Sequence, residues 1–218
     1  MTITEENGQL QKLATLLPQM SPGEQHLSIN LYRLLLEGTP VSKSRLARTS
    51  GLSADDVASI LDTWPGVHFD ADDRIAGYWG LSLTPTPHQF HLPGRELYAW
   101  CAWDTLFLPE VLGEPASIKS KCPVTSTPIT MRVSATAVEN LDPPTTVVSF
   151  VLPPESEINA DIVNSFCHYV HFFADEQVAA KWAGQHEGAF IVSVENAFRA
   201  ARAKNRWQYP LGLEQRNR

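Results

Sequence analysis

Three side chains in this sequence could do chemistry together: Cys101, Asp104 and Cys167. The first two lie in the run Tyr98-Ala99-Trp100-Cys101-Ala102-Trp103-Asp104-Thr105-Leu106-Phe107-Leu108-Pro109, which reads as an apolar helix. Positions i and i+3 share a helix face. A soft sulfur nucleophile would therefore stand beside a carboxylate able to handle its proton. Cys167 comes much later, in Ser165-Phe166-Cys167-His168-Tyr169-Val170-His171. Two thiolates suit a soft, thiophilic metal. If the fold joins them to the carboxylate, metal binding and proton transfer occur at one place.

Each residue also has a plainer reading. Cysteine is among the most buried residue types and usually only packs. That is the reading for Cys122, between Lys121 and Pro123 on an expected strand. A buried Asp104 could serve only as a hydrogen-bond acceptor for backbone or an indole. His168 and His171 could join Cys101 and Cys167 in a mixed Cys/His zinc site. Close Cys-x-x-Cys or His-x-x-x-His spacing is absent, so both histidines read as packing or hydrogen-bonded groups.

The elements that must position these residues fall into two textures. Residues 1–83 read as a helical, winged-helix-like domain. Leu10, Leu13, Leu16 and Leu17 share one helix face. Ser21-Pro22-Gly23-Glu24 has the form of a capping box opening the next helix, which Gly38 closes. Two short helices over 41–49 and 53–63, broken at Ser50-Gly51-Leu52, precede a hairpin over 67–70 and 74–81. Thr84-Pro85-Thr86-Pro87 marks the boundary. Residues 84–218 read as an α+β catalytic domain with a mostly antiparallel sheet and interleaved helices. Strands are expected over 88–92, 116–122, 129–134 and 146–152. Helices are expected over 95–108, 175–186 and 191–206, with Pro109 and Gly113 ending the first. The segment 167–173 is β-branched and aromatic and reads as extended.

A net charge of −7 argues against a general nucleic-acid binder. The helix-turn-helix outline suggests a DNA-binding regulator, but its second helix carries Asp55, Asp56 and Asp62 and no base. Phosphate contacts need Lys or Arg. No apolar run reaches the length of a membrane span. The first residues lack the basic and apolar regions of a secretory signal. Three cysteines without framework spacing fit free thiols in a reducing cytoplasm. Arg199, Arg202, Lys204, Arg206, Arg216 and Arg218 read as a solvated helix face and tail.

The stretch Leu97-Tyr98-Ala99-Trp100-Cys101-Ala102-Trp103-Asp104-Thr105 resembles the signature of the organomercurial (alkylmercury) lyases. So does Ser165-Phe166-Cys167 followed by Val170-His171-Phe172-Phe173-Ala174. The likeness runs from about residue 27 to 207, with two departures. Many members carry a second cysteine where this chain has His168, and a smaller aliphatic residue where it has Trp103.

The resemblance implies protonolysis of a carbon–mercury bond, giving a hydrocarbon and Hg(II). Cys101 and Cys167 would be nucleophiles and product ligands. Asp104, also near the metal, would be the proton shuttle. Its aromatic neighbours Trp100, Trp103 and Phe107 should raise its pKa by desolvation. Trp100 and Phe166 would line the pocket for the organic group, and Cys122 would give structural support. No cofactor is implied, since the proton comes from a thiol, but external thiols are needed for turnover. The basic C-terminal stretch suggests a hand-over of Hg(II) to mercuric reductase. A protein that only sequesters a soft metal through the same thiols, and a metal-responsive regulator, are the alternatives.

Overall fold

Ser21 opens the first long helix as its residue type predicts. Its hydroxyl accepts the Glu24 N–H, and a Glu24 carboxylate oxygen accepts the Ser21 N–H at 2.8 Å. The computed structural model describes residues 3–154 and 161–213. Helix α1 (Ile3–Ala14) is followed by α2 (Pro22–Leu35), which buries Leu27, Leu31, Leu34 and Leu35. Helix α3 (Lys43–Ser50) ends on Gly51, whose φ of +66° is the left-handed conformation that glycine adopts without strain. Helix α4 (Ala54–Thr63) is capped by the Ser53 hydroxyl. Strands β1 (Val67–Phe69) and β2 (Ile75–Tyr78) then form the expected antiparallel wing.

The wing ends earlier than the sequence suggests. Trp79 and Gly80, at φ +27° and +89°, form a two-residue turn from β2 into β3 (Leu81–Ser82). Positive φ at both central residues matches the twist of the strands they join. β3 pairs with β5 (Arg95–Ala99), which also pairs with β4 (His88–Leu92). The sheet continues through β6 (Ala116–Lys121), β7 (Pro128–Val133) and β8 (Val138–Asp142). Its eight strands run β1-β2-β3-β5-β4-β6-β7-β8, with every pair antiparallel. A second sheet is ordered β10-β9-β11, from β9 (Val147–Phe150), β10 (Phe172–Phe173) and β11 (Phe190–Ser193). The fold is α+β: a helical N-terminal region followed by antiparallel sheets with helices between them. Among the described residues, no helix is long and apolar enough to cross a membrane.

Three expected elements need correction. The helix over 95–108 is strand β5, a loop, and then α5 (Asp104–Leu112). Leu97 and Ala99 alternate inward, and Pro93-Gly94 turns the chain back onto β4. That period of two outweighs the apolar run. Pro109 lies inside α5, which Gly113 closes at φ +74°. The helix over 191–206 is likewise β11 and then α8 (Val194–Gln208), with Ser193 as its cap. The segment 167–173 begins as a 3₁₀ turn (Cys167–Tyr169) and becomes extended only at β10. Helix α6, described over 161–165, leads into that turn, and α7 (Glu176–Ala183) follows β10. Strand β8 was not expected; its mostly exposed polar residues hide the alternation of a strand. Helix α8 lies between α1 and α5, against both.

Candidate functional site

Cys101 sits in the four-residue connection between β5 and α5, not on a helix face. Two backbone bonds hold this connection. Trp100 N–H donates to Gly80 O at 2.9 Å, and Ala102 N–H donates to Val170 O at 3.2 Å. The second ties the Cys101 loop directly to the Cys167 segment. Asp104, the first residue of α5, turns its side chain back so that Oδ2 accepts the Cys101 N–H at 2.8 Å. The spacing of three works here through a cap-like bond rather than a shared helix face.

The Cys167 segment is pinned from β9. The Ser149 hydroxyl donates to Tyr169 O at 2.8 Å and accepts the His171 N–H at 3.1 Å. Phe166 packs edge-on against Trp103, and the Trp103 indole donates to Ala197 O at 2.9 Å. These constraints bring Cys101, Asp104 and Cys167 together, with their ligand atoms all within 4.8 Å of one another. All three are buried, with Cys101 at 0% exposure, Asp104 at 5% and Cys167 at 6%.

Burial sets the electrostatics. It pushes the Cys101 thiol well above its usual pKa, helped by the Cys167 and Asp104 side chains. A hydrogen bond from Cys101 pulls the Cys167 thiol down, but burial and the Asp104 charge outweigh it and leave it raised. Burial raises Asp104 to about 6, against the pull of its Cys101 hydrogen bonds and the Lys204 charge. At neutral pH the thiols keep their protons and the carboxylate is mostly ionised, so it can accept one.

Two neighbours escaped the sequence reading. Lys204 is not solvated: it has 0% exposure, and its ammonium lies 3.5 Å from the centroid of the Phe107 ring. Burial lowers it to about 7, while Asp104 and Glu110 pull it back up. Ala197, Ala200, Ala201, Lys204 and Gln208 form one buried stripe on α8. That helical spacing was the available signal. Gly80 is the other. A Cβ there would stand 2.6 Å from Asp104 Cγ and 2.8 Å from Oδ1, so only glycine lets the carboxylate rest against this turn. Arg199 and Arg206 are exposed as expected, whereas Arg216 and Arg218 lie outside the described residues.

A cavity of about 20 Å³ lies among Trp79, Trp103, Asp104, Phe107, Phe166 and Cys167. Leu16 and Leu17, just beyond α1, also border it. A wider pocket of about 290 Å³ lies beside it, and Trp100 and Cys167 border both. His168 and His171 line the wider pocket but do not join the thiol–carboxylate group; their rings pack against Tyr169 and Trp182. Cys122 is fully buried just past β6 and also stays outside the group. Burial raises its pKa, but hydrogen bonds from Thr125, Ala174 and Val124 outweigh that and hold it below the usual value.

Comparison with known proteins identifies the family of both regions. A family model described as alkylmercury lyase matches residues 81–205. Another, described as the helix-turn-helix domain of alkylmercury lyase, matches residues 9–79. The alkylmercury lyase of Pseudomonas putida is 44% identical over 172 residues, 79% of each chain. That of Bacillus cereus is 38% identical over 200 residues, 89% of this chain and 90% of the relative. A crystal structure described as the mercury-bound form of MerB2 superposes with a TM-score of 0.73 at 28% identity, covering 94% of this chain and 99% of the other. The helical region and the sheet region that carries the two thiols and the carboxylate both match one enzyme family, and the chain is a member of the alkylmercury lyases.

Proposed function

We propose that this enzyme cleaves the carbon–mercury bond of alkyl- and aryl-mercury compounds by protonolysis, with Cys101 and Cys167 as nucleophiles and Asp104 as proton shuttle. The observation that carries the reading is the buried convergence of two thiols and one carboxylate within 4.8 Å. Asp104 takes a thiol proton, and the thiolate displaces the counter-ligand from mercury. The second sulfur then binds mercury and weakens its bond to carbon. Asp104 returns its proton to carbon as that bond breaks, so the electron pair leaves as a C–H bond. Two thiol protons leave in all, one on the hydrocarbon and one with the displaced ligand, and Hg(II) remains on two sulfurs. Trp100 and Phe166 border the space for the organic group.

No electron is transferred in this scheme, so it calls for no redox cofactor. External thiols remove the metal, and mercuric reductase is a fitting acceptor. Free thiols at all three cysteines suit a reducing cytoplasm. The division at 83/84 assigns the thiol site to the second unit and leaves the first as a packing element with no role on nucleic acid. The test is benzene release from phenylmercury by the purified protein, in wild type, Cys101→Ser, Asp104→Ala and Cys167→Ser. Benzene from wild type and loss in all three variants is the expected result. Tight retention of the mercurial without benzene would mean sequestration instead.

A further inference from the structure

We propose that the wider pocket beside Cys167 seats a small anionic thiol that draws mercury out of the site, with Lys121 attracting its charge. This rests on the lyase reading for the origin of the mercury, and the geometry around Cys167 supplies the rest. Mercury held by two sulfurs exchanges one soft ligand for another more readily than it enters water as a bare ion. The incoming sulfur must therefore reach the metal before a protein sulfur lets go. Cys101 has no exposed surface, and the cavity on the Asp104 side has room for about one water. Of the three groups, only Cys167 also borders the wider pocket.

That pocket, at about 290 Å³, is large enough for a thiol of a few heavy atoms. Among the described residues, its lining has one lysine and no carboxylate. Asp161, the acid engaged by the Asn164 amide at 2.6 Å, does not line it. Lys121 is exposed and has no ion-pair partner among the described residues. Burial holds His88 to about 3 and His171 to about 4, so both imidazoles are neutral and Lys121 carries the permanent charge. The exchange balances. The incoming thiol's sulfur bonds to mercury, the bond from mercury to Cys167 breaks, and the incoming proton passes to the Cys167 sulfur. A second thiol does the same at Cys101. The products are Hg(II) bound by two small thiolates and both protein thiols restored.

The test uses the full chain loaded directly with Hg(II), so that it does not depend on carbon–mercury cleavage. Mercury transfer is followed by ultraviolet absorbance of the mercury–thiolate bond. The acceptors are mercaptoacetate, mercaptoethanol and cysteamine at matched thiolate concentrations. The expected result is a rate that saturates with thiol, with the lowest half-saturation for mercaptoacetate. Lys121→Glu should raise that value about 1.5-fold to fivefold relative to cysteamine, the range for one exposed ion pair. Lys121→Met should fall between. Lys121 is on the surface, so these variants should fold. Rates linear in thiol, or a half-saturation unmoved by charge reversal at Lys121, would overturn the proposal. Benzene release in a first turnover without added thiol reads the lyase chemistry separately. Its absence would refute that reading and leave the docking result standing.

Discussion

Asp104→Asn should abolish hydrocarbon release and make the protein more stable at neutral pH. The amide keeps the size of the carboxylate and an oxygen for the Cys101 N–H, now bonded at 2.8 Å. It removes a buried charge. Folding raises the Asp104 pKa from 3.8 to about 6, chiefly by desolvation. At about 1.4 kcal/mol per tenfold in acidity, ionised Asp104 costs the native state about 3 kcal/mol. The sign follows from proton counting. Between pH 3.8 and 6 the native state holds a proton that the unfolded state has lost, so wild-type stability falls as pH rises through this window. Above pH 6 the penalty is complete, and below pH 3.8 it vanishes. The gain in the variant is therefore at most about 3 kcal/mol at pH 7, reduced because buried Lys204 loses a nearby anion. Urea unfolding of both proteins from pH 4 to 8 gives the difference directly, and benzene release gives the activity. Activity should fall at least ~100-fold, the lower range for losing a proton-transfer group. A variant that is less stable than wild type at pH 7, or a stability gap that does not change with pH, would refute a desolvated carboxylate at this position.

Three further changes test the surroundings. Gly80→Ala places a methyl 2.6 Å from Asp104 Cγ at φ +89°; the backbone strain should cost about 1–2 kcal/mol, and displacing the carboxylate by ~1 Å should slow benzene release about 100-fold. Lys204→Met removes a cation that burial lowers from 10.5 to about 7. Wild-type stability should rise between pH 7 and 10.5, where only the unfolded state keeps the lysine proton, by roughly 5 kcal/mol at most; the variant should lose that slope in pH-dependent urea unfolding. Because Lys204 also lowers the Asp104 pKa, the acid limb of the variant's pH–rate profile should move to higher pH. Ser149→Ala leaves Tyr169 O and the His171 N–H without their shared partner; the melting temperature should fall, at a cost of about 1–3 kcal/mol, and mercury should be held less tightly in competition with small thiols.

The three residues that converge in the candidate site were legible in the sequence, but the way they meet was not. Capping chemistry is local, so Ser21 with Glu24 could be read directly and proved right in the fold. The run from Tyr98 to Pro109 was ambiguous, because a continuous apolar stretch suits a buried strand as well as a helix. The deciding signal was the Pro93-Gly94 turn, which folds β5 onto β4. The difference matters for mechanism. On a helix, the Cys101 N–H would bond to a carbonyl one turn back, leaving both Asp104 oxygens uncommitted. In the loop, the Cys101 N–H takes Oδ2 and fixes the carboxylate, with Oδ1 beside Gly80. Lys204 was misread because charge was weighed above period. Its neighbours Ala197, Ala200, Ala201 and Gln208 already placed it on the buried stripe of α8. Only the packing of α8 against α5 reveals the consequence, a cation sealed over Phe107 and acting on Asp104. Such a charge costs stability, since desolvation outweighs the attraction of Asp104 and Glu110. Its position near the carboxylate accounts better for a lysine there than packing does, because a methionine would fill the same stripe without the desolvation cost.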